Sequence, residues 1–264
     1  MALSDLRPRP SSRRRMNMFY LLDTSGSMRY KDCIGSVNRA MPEIVDILRE
    51  ISESNHDQSD IYMSCITFDN DARQLYDSPV NVKDFRWANV RAEGLTNLKS
   101  ALTMLERQLV NEQAAIAPGM QLRPAVLLLS DGDPDDGWEE ALDRLQGNRL
   151  FREAYKIAIA IGCKPANQEM RRALTRFAQP LDAGGEPIII SITELDKLYQ
   201  VIKLVSSTVS RIGSRNTGAN GGSDTSRQIN NVIRNEVGEI VGVNIPSIAK
   251  DGLSLIHISE PTRP

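Results

Sequence analysis

The sequence predicts an α/β fold: a doubly wound, mainly parallel central sheet with one antiparallel edge strand and helices on both faces. Two observations carry this. From Met16 to about Arg211, apolar strand-like runs alternate with stretches of helical period, the order that builds a parallel sheet covered on both sides. The 264 residues are 41% apolar and 25% charged, enough to bury one large core or two small ones.

Each element can be justified in order. Met18–Leu22 is the first strand. Ile34–Ile51 is a helix, with Ile34, Val37, Met41, Ile44, Val45 and Leu48 at helical spacing; Pro42 inside it implies a kink or a late start. Ile61–Phe68 is the second strand, and Ala72–Tyr76 is its antiparallel partner across the turn Asp69–Asp71. Asp77–Arg91 reads as a long loop containing Trp87. Thr96 opens an amphipathic helix with Leu98, Ala101, Leu102, Leu105 and Leu109 on one face. Ala125–Leu129 is the most apolar strand and ends at Ser130-Asp131-Gly132. A helix over Glu139–Leu145, a strand over Lys156–Ile161, a helix over Glu169–Phe177, a strand over Pro187–Ser191 and a closing helix over Leu195–Ser210 complete the domain, 16–211. Ligands of such sheets sit beyond the C-terminal ends of the strands.

The flanks read differently. Residues 1–15 carry five Arg against one Asp and are expected to form a disordered basic tail; they hold no apolar run that would make a secretory signal. Residues 212–227, rich in Gly, Ser and Asn, read as a flexible linker. Within 228–252, Ile229, Val232, Ile233, Val237 and Ile240 allow a short helix that docks elsewhere or opens a truncated region. Leu253–Arg263, "LSLIHISEPTR", is similar to an in-frame translation of a transposon-end sequencing adaptor. Residues 253–264 therefore belong with tags and scars, outside the fold, His257 leaves any site, and the native chain is expected to continue past Gly252. The competing reading is a short native strand, from the alternation of Leu253, Leu255, Ile256 and Ile258.

Bulk properties exclude several partners. A net charge of −2 gives no reason to expect nucleic acid or a membrane surface, and the apolar runs are too short to span a bilayer. Cys33, Cys65 and Cys163 are odd in number and far apart, which suits reduced thiols in a cytoplasmic protein. His56 has no second ligand at zinc spacing.

The chemistry collects at the C-terminal edge of the sheet. The first strand delivers Asp23, then Ser25 and Ser27; the Ala125–Leu129 strand delivers Asp131 and, two residues on, Asp133; Thr96 follows Gly94 before its helix. These are hard oxygen donors without sulfur or imidazole, a set suited to Mg2+, with Mn2+ as a substitute. Mg2+ prefers six oxygens and keeps waters, so few protein ligands leave open positions for an acidic residue of a partner. Read singly, Ser25 and Thr96 are also helix caps and Asp131-Gly132 a turn.

Together these runs resemble the von Willebrand factor A (VWA) family and its metal-ion-dependent adhesion site. The family's D-x-S-x-S motif fits "DTSGS" at Asp23, Ser25 and Ser27; its threonine before a helix fits "EGLTNLKSALTML" at Thr96; its strand-end aspartate fits "LLLSDGD" at Asp131. The resemblance implies a Rossmann-like VWA fold, Ser25 and Ser27 as direct hydroxyl ligands, Thr96 direct or through water, and Asp23 and Asp131 largely holding waters and hydroxyls. It also implies a protein-interaction role, with Gly26, Met28, Asn97 and Asp133 as the partner-binding rim. A finer likeness, in "DGDPDDGWEEAL", "KIAIAIG" and "VSSTVSRIGSR", is to the bacterial TerY/YegL-like subgroup of tellurite-resistance and stress gene clusters. There Asp135 stands where that subgroup commonly has Thr.

Competing readings fail on particular residues. As a calcium loop from Asp131, "DGDPDDGWEEAL" has Asp136 where Gly is needed and Leu142 where Glu is needed. A phosphatase using Asp23 as nucleophile needs a second carboxylate two residues on as acid/base, and Ser25 stands there. A serine hydrolase needs G-x-S-x-G and a histidine, whereas His56 lies in a polar loop. The expectation is a non-enzymatic, Mg2+-dependent module whose partner is a kinase, a phosphatase or an ATPase machine. A chelatase-type accessory subunit is a variant of it; an extracellular adhesin and a purely structural metal are the other binding readings.

Overall fold

In the computed structural model β1 (Arg14–Asp23) lies at the middle of the sheet and is buried from Met16 onward. The structure describes residues 13–54, 59–162, 168–180, 187–192, 195–215, 222–241 and 255–258. Parallel neighbours flank β1: β2 (Ser59–Phe68) on one side and β5 (Ala125–Ser130) on the other. Past β5 come β6 (Tyr155–Ile161), β7 (Ile188–Ile192) and β8 (Leu255–Ile258), all parallel. Past β2 the edge is antiparallel, in two short pieces, β3 (Ala72–Gln74) and β4 (Val80–Asn81). The order β3-β2-β1-β5-β6-β7-β8 reverses its direction of winding between β1 and β5, and that switch point opens a crevice at the strands' C-terminal ends.

Alternation along β1 builds two cores. Met16, Met18, Tyr20 and Leu22 face one, covered by α1 (Cys33–Ser54), α6 (Leu195–Arg215) and α7 (Gly222–Val241). Phe19 and Leu21 face the other, covered by α2 (Leu98–Ala115), α3 (Trp138–Gly147), α4 (Arg149–Glu153) and α5 (Gln168–Ala178). α1 runs through Pro42; burial of Met41, Ile44 and Val45 outweighs the one backbone donor that proline removes. The short α4, absent from the sequence reading, is capped by Asn148, whose Oδ1 accepts from the amides of Leu150 and Phe151.

Several expectations need correction. The basic tail does not extend to residue 15: Arg13 pairs with Asp60 at 3.1 Å and donates to the carbonyls of Ser52 and Ser59, so its charge anchors the start of β1. The expected loop 77–91 contains β4 and the buried Val82 and Phe85. The supposed linker 212–227 is helical at both ends, since α6 continues to Arg215 and α7 starts at Gly222. Gly213 signals close packing rather than flexibility, because a Cβ there would lie 2.6 Å from Met16 Cε. α7 docks on α6 through Ile229, Ile233 and Val237, an i, i+4, i+8 stripe that is fully buried. Leu255–Ile258 does pair with β7; an open strand edge accepts an extended segment through backbone groups, which every sequence carries. Residues 1–12, His56, Cys163, 216–221 and 242–252 lie outside the described residues.

At the N-terminal end of β1 a polar network is enclosed beneath α2. Glu112 accepts from Asn17 Nδ2 at 2.8 Å and pairs with Arg15 at 3.0 Å. Arg15 Nε donates to Asn17 Oδ1, and its guanidinium lies 3.7 Å from the Tyr62 ring centroid.

Candidate metal centre

Parallel pairing of Leu22 with Leu129 sets Asp23 at the end of β1 beside Ser130 at the end of β5. Asp23 is fully buried. Its Oδ1 accepts from the amide of Ser25 at 2.8 Å, and its Oδ2 accepts from Ser130 Oγ at 2.5 Å. The chain then turns sharply at Thr24, whose amide and Oγ1 both donate to the carbonyl of Phe68. That turn leaves Ser25 buried and brings Ser27 to the surface. Ser25 Oγ lies 2.9 Å from Ser27 Oγ, and Ser27 Oγ donates to Asp131 Oδ1 at 2.6 Å. Thr96 joins them: a Cβ on Gly132 would sit 3.2 Å from Thr96 Oγ1 and 3.5 Å from Ser27 Oγ.

The capping alternatives fall away. Ser25 precedes the 3-10 turn Gly26–Asp32 but makes no side-chain capping bond. Thr96 does not open α2: the helix starts at Leu98 and Asn97 caps it, accepting from the amide of Ser100 at 3.0 Å. The Thr96 loop is stitched in place by its neighbours. Gly26 N donates to Gly94 O, Leu95 N to Asn70 Oδ1, Asn97 N to Asp69 O, and Asp135 N to Thr96 O. Asp135 contributes here through its backbone.

Gly94 has φ +76°, and a Cβ there would meet the Asn70 side chain at 2.8 Å. Gly94→Ala is therefore expected to destabilise the chain by about 1–3 kcal/mol. It should also displace Asn70 from Leu95, and with it Thr96. Urea unfolding measures the first effect; a weakened stability response to added Mg2+ measures the second.

The electrostatics distinguish this cluster from an ordinary polar turn. Burial pushes the Asp23 carboxyl up to about 6, against the pull of hydrogen bonds from Ser130 and Ser25, and the charge of Asp131 pushes it further. Burial also raises Asp131, opposed by its bond from Ser27. Among the described residues no Lys or Arg pairs with either carboxylate. A buried and a half-buried acid facing hydroxyls, with no cation of their own among the described residues, fit a hard divalent ion. Among the described residues no three His, Cys, Asp or Glu side chains gather, so soft-metal coordination has no comparable candidate there. Asp23, Ser25, Ser27, Thr96 and Asp131 could together hold such an ion.

The expected rim is only partly in place. Gly26 and the exposed Ser27 edge the opening. Asp133 is exposed, and its Oδ1 accepts from the amide of Met170 at 2.9 Å, in the first turn of α5. Asn97 is occupied by its cap and by donation to Asn70 O. Met28 is fully buried and cannot line a rim; its side chain fills the core beneath the 3-10 turn. Ser130 and Asn70 were missed as supports. Ser130 was visible in the "SDG" run, whereas Asn70 gave no local signal, since its partner Leu95 is distant in sequence.

Residues 18–133 match the family model of the von Willebrand factor type A domain. Among solved structures, the chain is similar to a von Willebrand factor type A protein from Catenulispora acidiphila at 16% identity and a TM-score of 0.53, covering 75% of this chain and 43% of that one. It is similar to the pilus adhesin SpaC from Lactobacillus rhamnosus GG at 10% identity and a TM-score of 0.53, covering 84% and 31%. It is also similar to the PilB minor pilin from Streptococcus sanguinis at 14% identity and a TM-score of 0.51, covering 76% and 62%. The chain thus spans less than two thirds of each of these, and the likeness is one of fold. No curated protein matches the sequence. The stretch that matches the von Willebrand factor type A model, residues 18–133, contains the whole Asp23–Thr96–Asp131 cluster.

Proposed function

We propose that this domain is a Mg2+-dependent protein-interaction module. Asp23, Ser25, Ser27, Thr96 and Asp131 hold the ion, Mn2+ can replace it, and an Asp or Glu of a partner protein completes its coordination. The observation that carries this reading is the pairing of a buried and a half-buried carboxylate, Asp23 and Asp131, with no protein cation among the described residues, bridged by serine hydroxyls and open to solvent at Ser27. The ion supplies the positive charge the site lacks, and Ser130 and Ser25 hold Asp23 in the orientation it needs. The position two residues after Asp23, where a phosphatase needs a second carboxylate, is Ser25, and we propose no catalytic activity.

The setting we favour is a cytoplasmic complex of the TerY/YegL-like, stress or tellurite-resistance type, with kinase, phosphatase or ATPase components as partners. Cys33 and Cys65 are buried free thiols, which accords with a reducing compartment. Among the described residues no helix is long and apolar enough to cross a membrane. The subgroup rests on the likeness of the runs Asp131–Leu142, Lys156–Gly162 and Val205–Arg215.

Affinity capture from a native lysate tests the module. Partners retained in Mg2+ should be lost in chelator and with Asp23→Ala; the same partners under all three conditions would refute metal-mediated recognition. Turnover of generic phosphate esters that Asp23→Asn abolishes would replace it with an enzyme.

A further inference from the structure

Three loops meet at the cup, and they are anchored in different ways. The first is fixed at the end of β2, where Thr24 N donates to Phe68 O at 2.8 Å. The Thr96 loop is fixed beside it, where Asn97 N donates to Asp69 O at 2.9 Å. The third runs from Asp131 to Gly137 and has no helix or strand of its own. β5 ends at Ser130, so the strand holds Asp131 from one side only. The rest of the loop's path depends on what it is tied to.

It is tied to α5 at two points. In its middle, Asp133 Oδ1 accepts from the amide of Met170 at 2.9 Å, across 37 residues of sequence. Where the loop enters α3, Trp138 is buried and its Nε1 donates to Glu169 Oε1 at 3.1 Å. Both partners lie in the first turn of α5. Farther along that helix, Arg172 and Arg176 lie 5.7 and 5.5 Å from the Trp138 ring centroid, and Arg172 pairs with Glu139 at 3.2 Å. Between the two ties, Asp135 N donates to Thr96 O at 3.0 Å. The loop that α5 holds therefore carries Asp131 and touches Thr96.

The local sequence favours this bridge. Pro134 restricts Asp133 to extended backbone, which limits the freedom the loop loses on folding. The first amides of a helix have no partner within it, and a carboxylate placed there is also favoured by the helix dipole.

We propose that Asp133 is a positioning residue of the metal centre: by holding the first turn of α5 it sets where Asp131 stands, and so couples Mg2+ affinity to the docking of α5. This rests on the Mg2+ reading above and gives Asp133 a role other than that of a partner-binding rim. The coupling is reciprocal, so Mg2+ should in turn protect the Met170 amide from exchange.

Calorimetric titration of Mg2+ into the full chain, beside Asp133→Ala and Asp133→Asn, tests this, with hydrogen exchange at the Met170 amide followed in the same proteins. Asparagine keeps an oxygen for the amide and loses the charge, whereas alanine loses both. Asp133→Ala is expected to bind Mg2+ about tenfold more weakly, and Asp133→Asn to bind it as the wild type does. Mg2+ should slow exchange at Met170 in the wild type and in Asp133→Asn. Equal weakening in both variants would mean that the charge of Asp133 acts on the ion directly, and would overturn the positioning role. Lower stability of Asp133→Ala with unaltered Mg2+ affinity would reduce Asp133 to a helix cap and overturn it too. Exchange at Met170 that Mg2+ leaves unchanged in the wild type would overturn it without recourse to either variant. All three results leave the metal site standing; a wild type that binds no Mg2+ would instead overturn the metal reading itself.

Discussion

Asp23→Asn should make the metal-free protein more stable while abolishing its stabilisation by Mg2+. The carboxyl is fully buried and pushed from 3.8 up to about 6, a difference worth about 3 kcal/mol when the group is ionised. The sign follows from proton binding. Between about pH 4 and pH 6 the folded state holds a proton that the unfolded state has lost, so stability falls as pH rises through this window and stays lowered above it. Asparagine keeps an oxygen for the Ser25 amide and carries no charge. At neutral pH without metal, the variant is expected to gain up to about 3 kcal/mol. Added Mg2+ should stabilise the wild type, because it compensates the buried charge, and leave the variant unchanged. Urea unfolding of both proteins across this pH range, with and without Mg2+, reads all of this. A variant less stable than the metal-free wild type at neutral pH would mean that Asp23 is already compensated by the protein.

Glu112→Ala should have the opposite character. Its carboxylate joins Asn17 and Arg15 beneath α2, far from the cup, at the other end of β1. Truncation leaves Arg15 half-buried without its carboxylate and Asn17 without its acceptor, and removing one partner of a buried pair costs about 3–5 kcal/mol. Because β1 remains paired to β2 and β5 along its length, the folded fraction should bind Mg2+ as the wild type does. A urea midpoint that drops strongly with an unaltered Mg2+ affinity is the expected pair of results. A midpoint shift of less than about 1 kcal/mol would show the network to be a solvated surface cluster.

The contrast between these two residues reflects what a sequence can reveal. Asp23, Ser25, Ser27 and Asp131 were legible because each follows a recognisable apolar strand, and a strand end fixes its next residues in space. The two-sided sheet was legible for the same reason, through its runs of period 2 and 3.6. Thr96 was legible as a position and misread as a helix start, because Asn97 is an equally good cap one residue later. Asn70 and Gly94 hold that loop across the β2–β3 turn, and no local pattern announces a contact between distant segments. Met28 looked like a rim residue by adjacency, but a 3-10 turn points successive side chains in different directions, and this one points into the core. The Gly- and Ser-rich stretch after Arg211 misled for a simpler reason. Composition marked it as a linker, whereas Gly213 serves the close approach of α6 to Met16 and Tyr155.

The most direct test of the account is a calorimetric titration of Mg2+ into the metal-free chain beside Ser25→Ala and Asp131→Ala. A single site is expected in the wild type and an affinity at least about tenfold lower in each variant, with both variants still cooperatively folded. Equal Mg2+ affinity in all three proteins would contradict it, because the ion would then lie somewhere other than this cup.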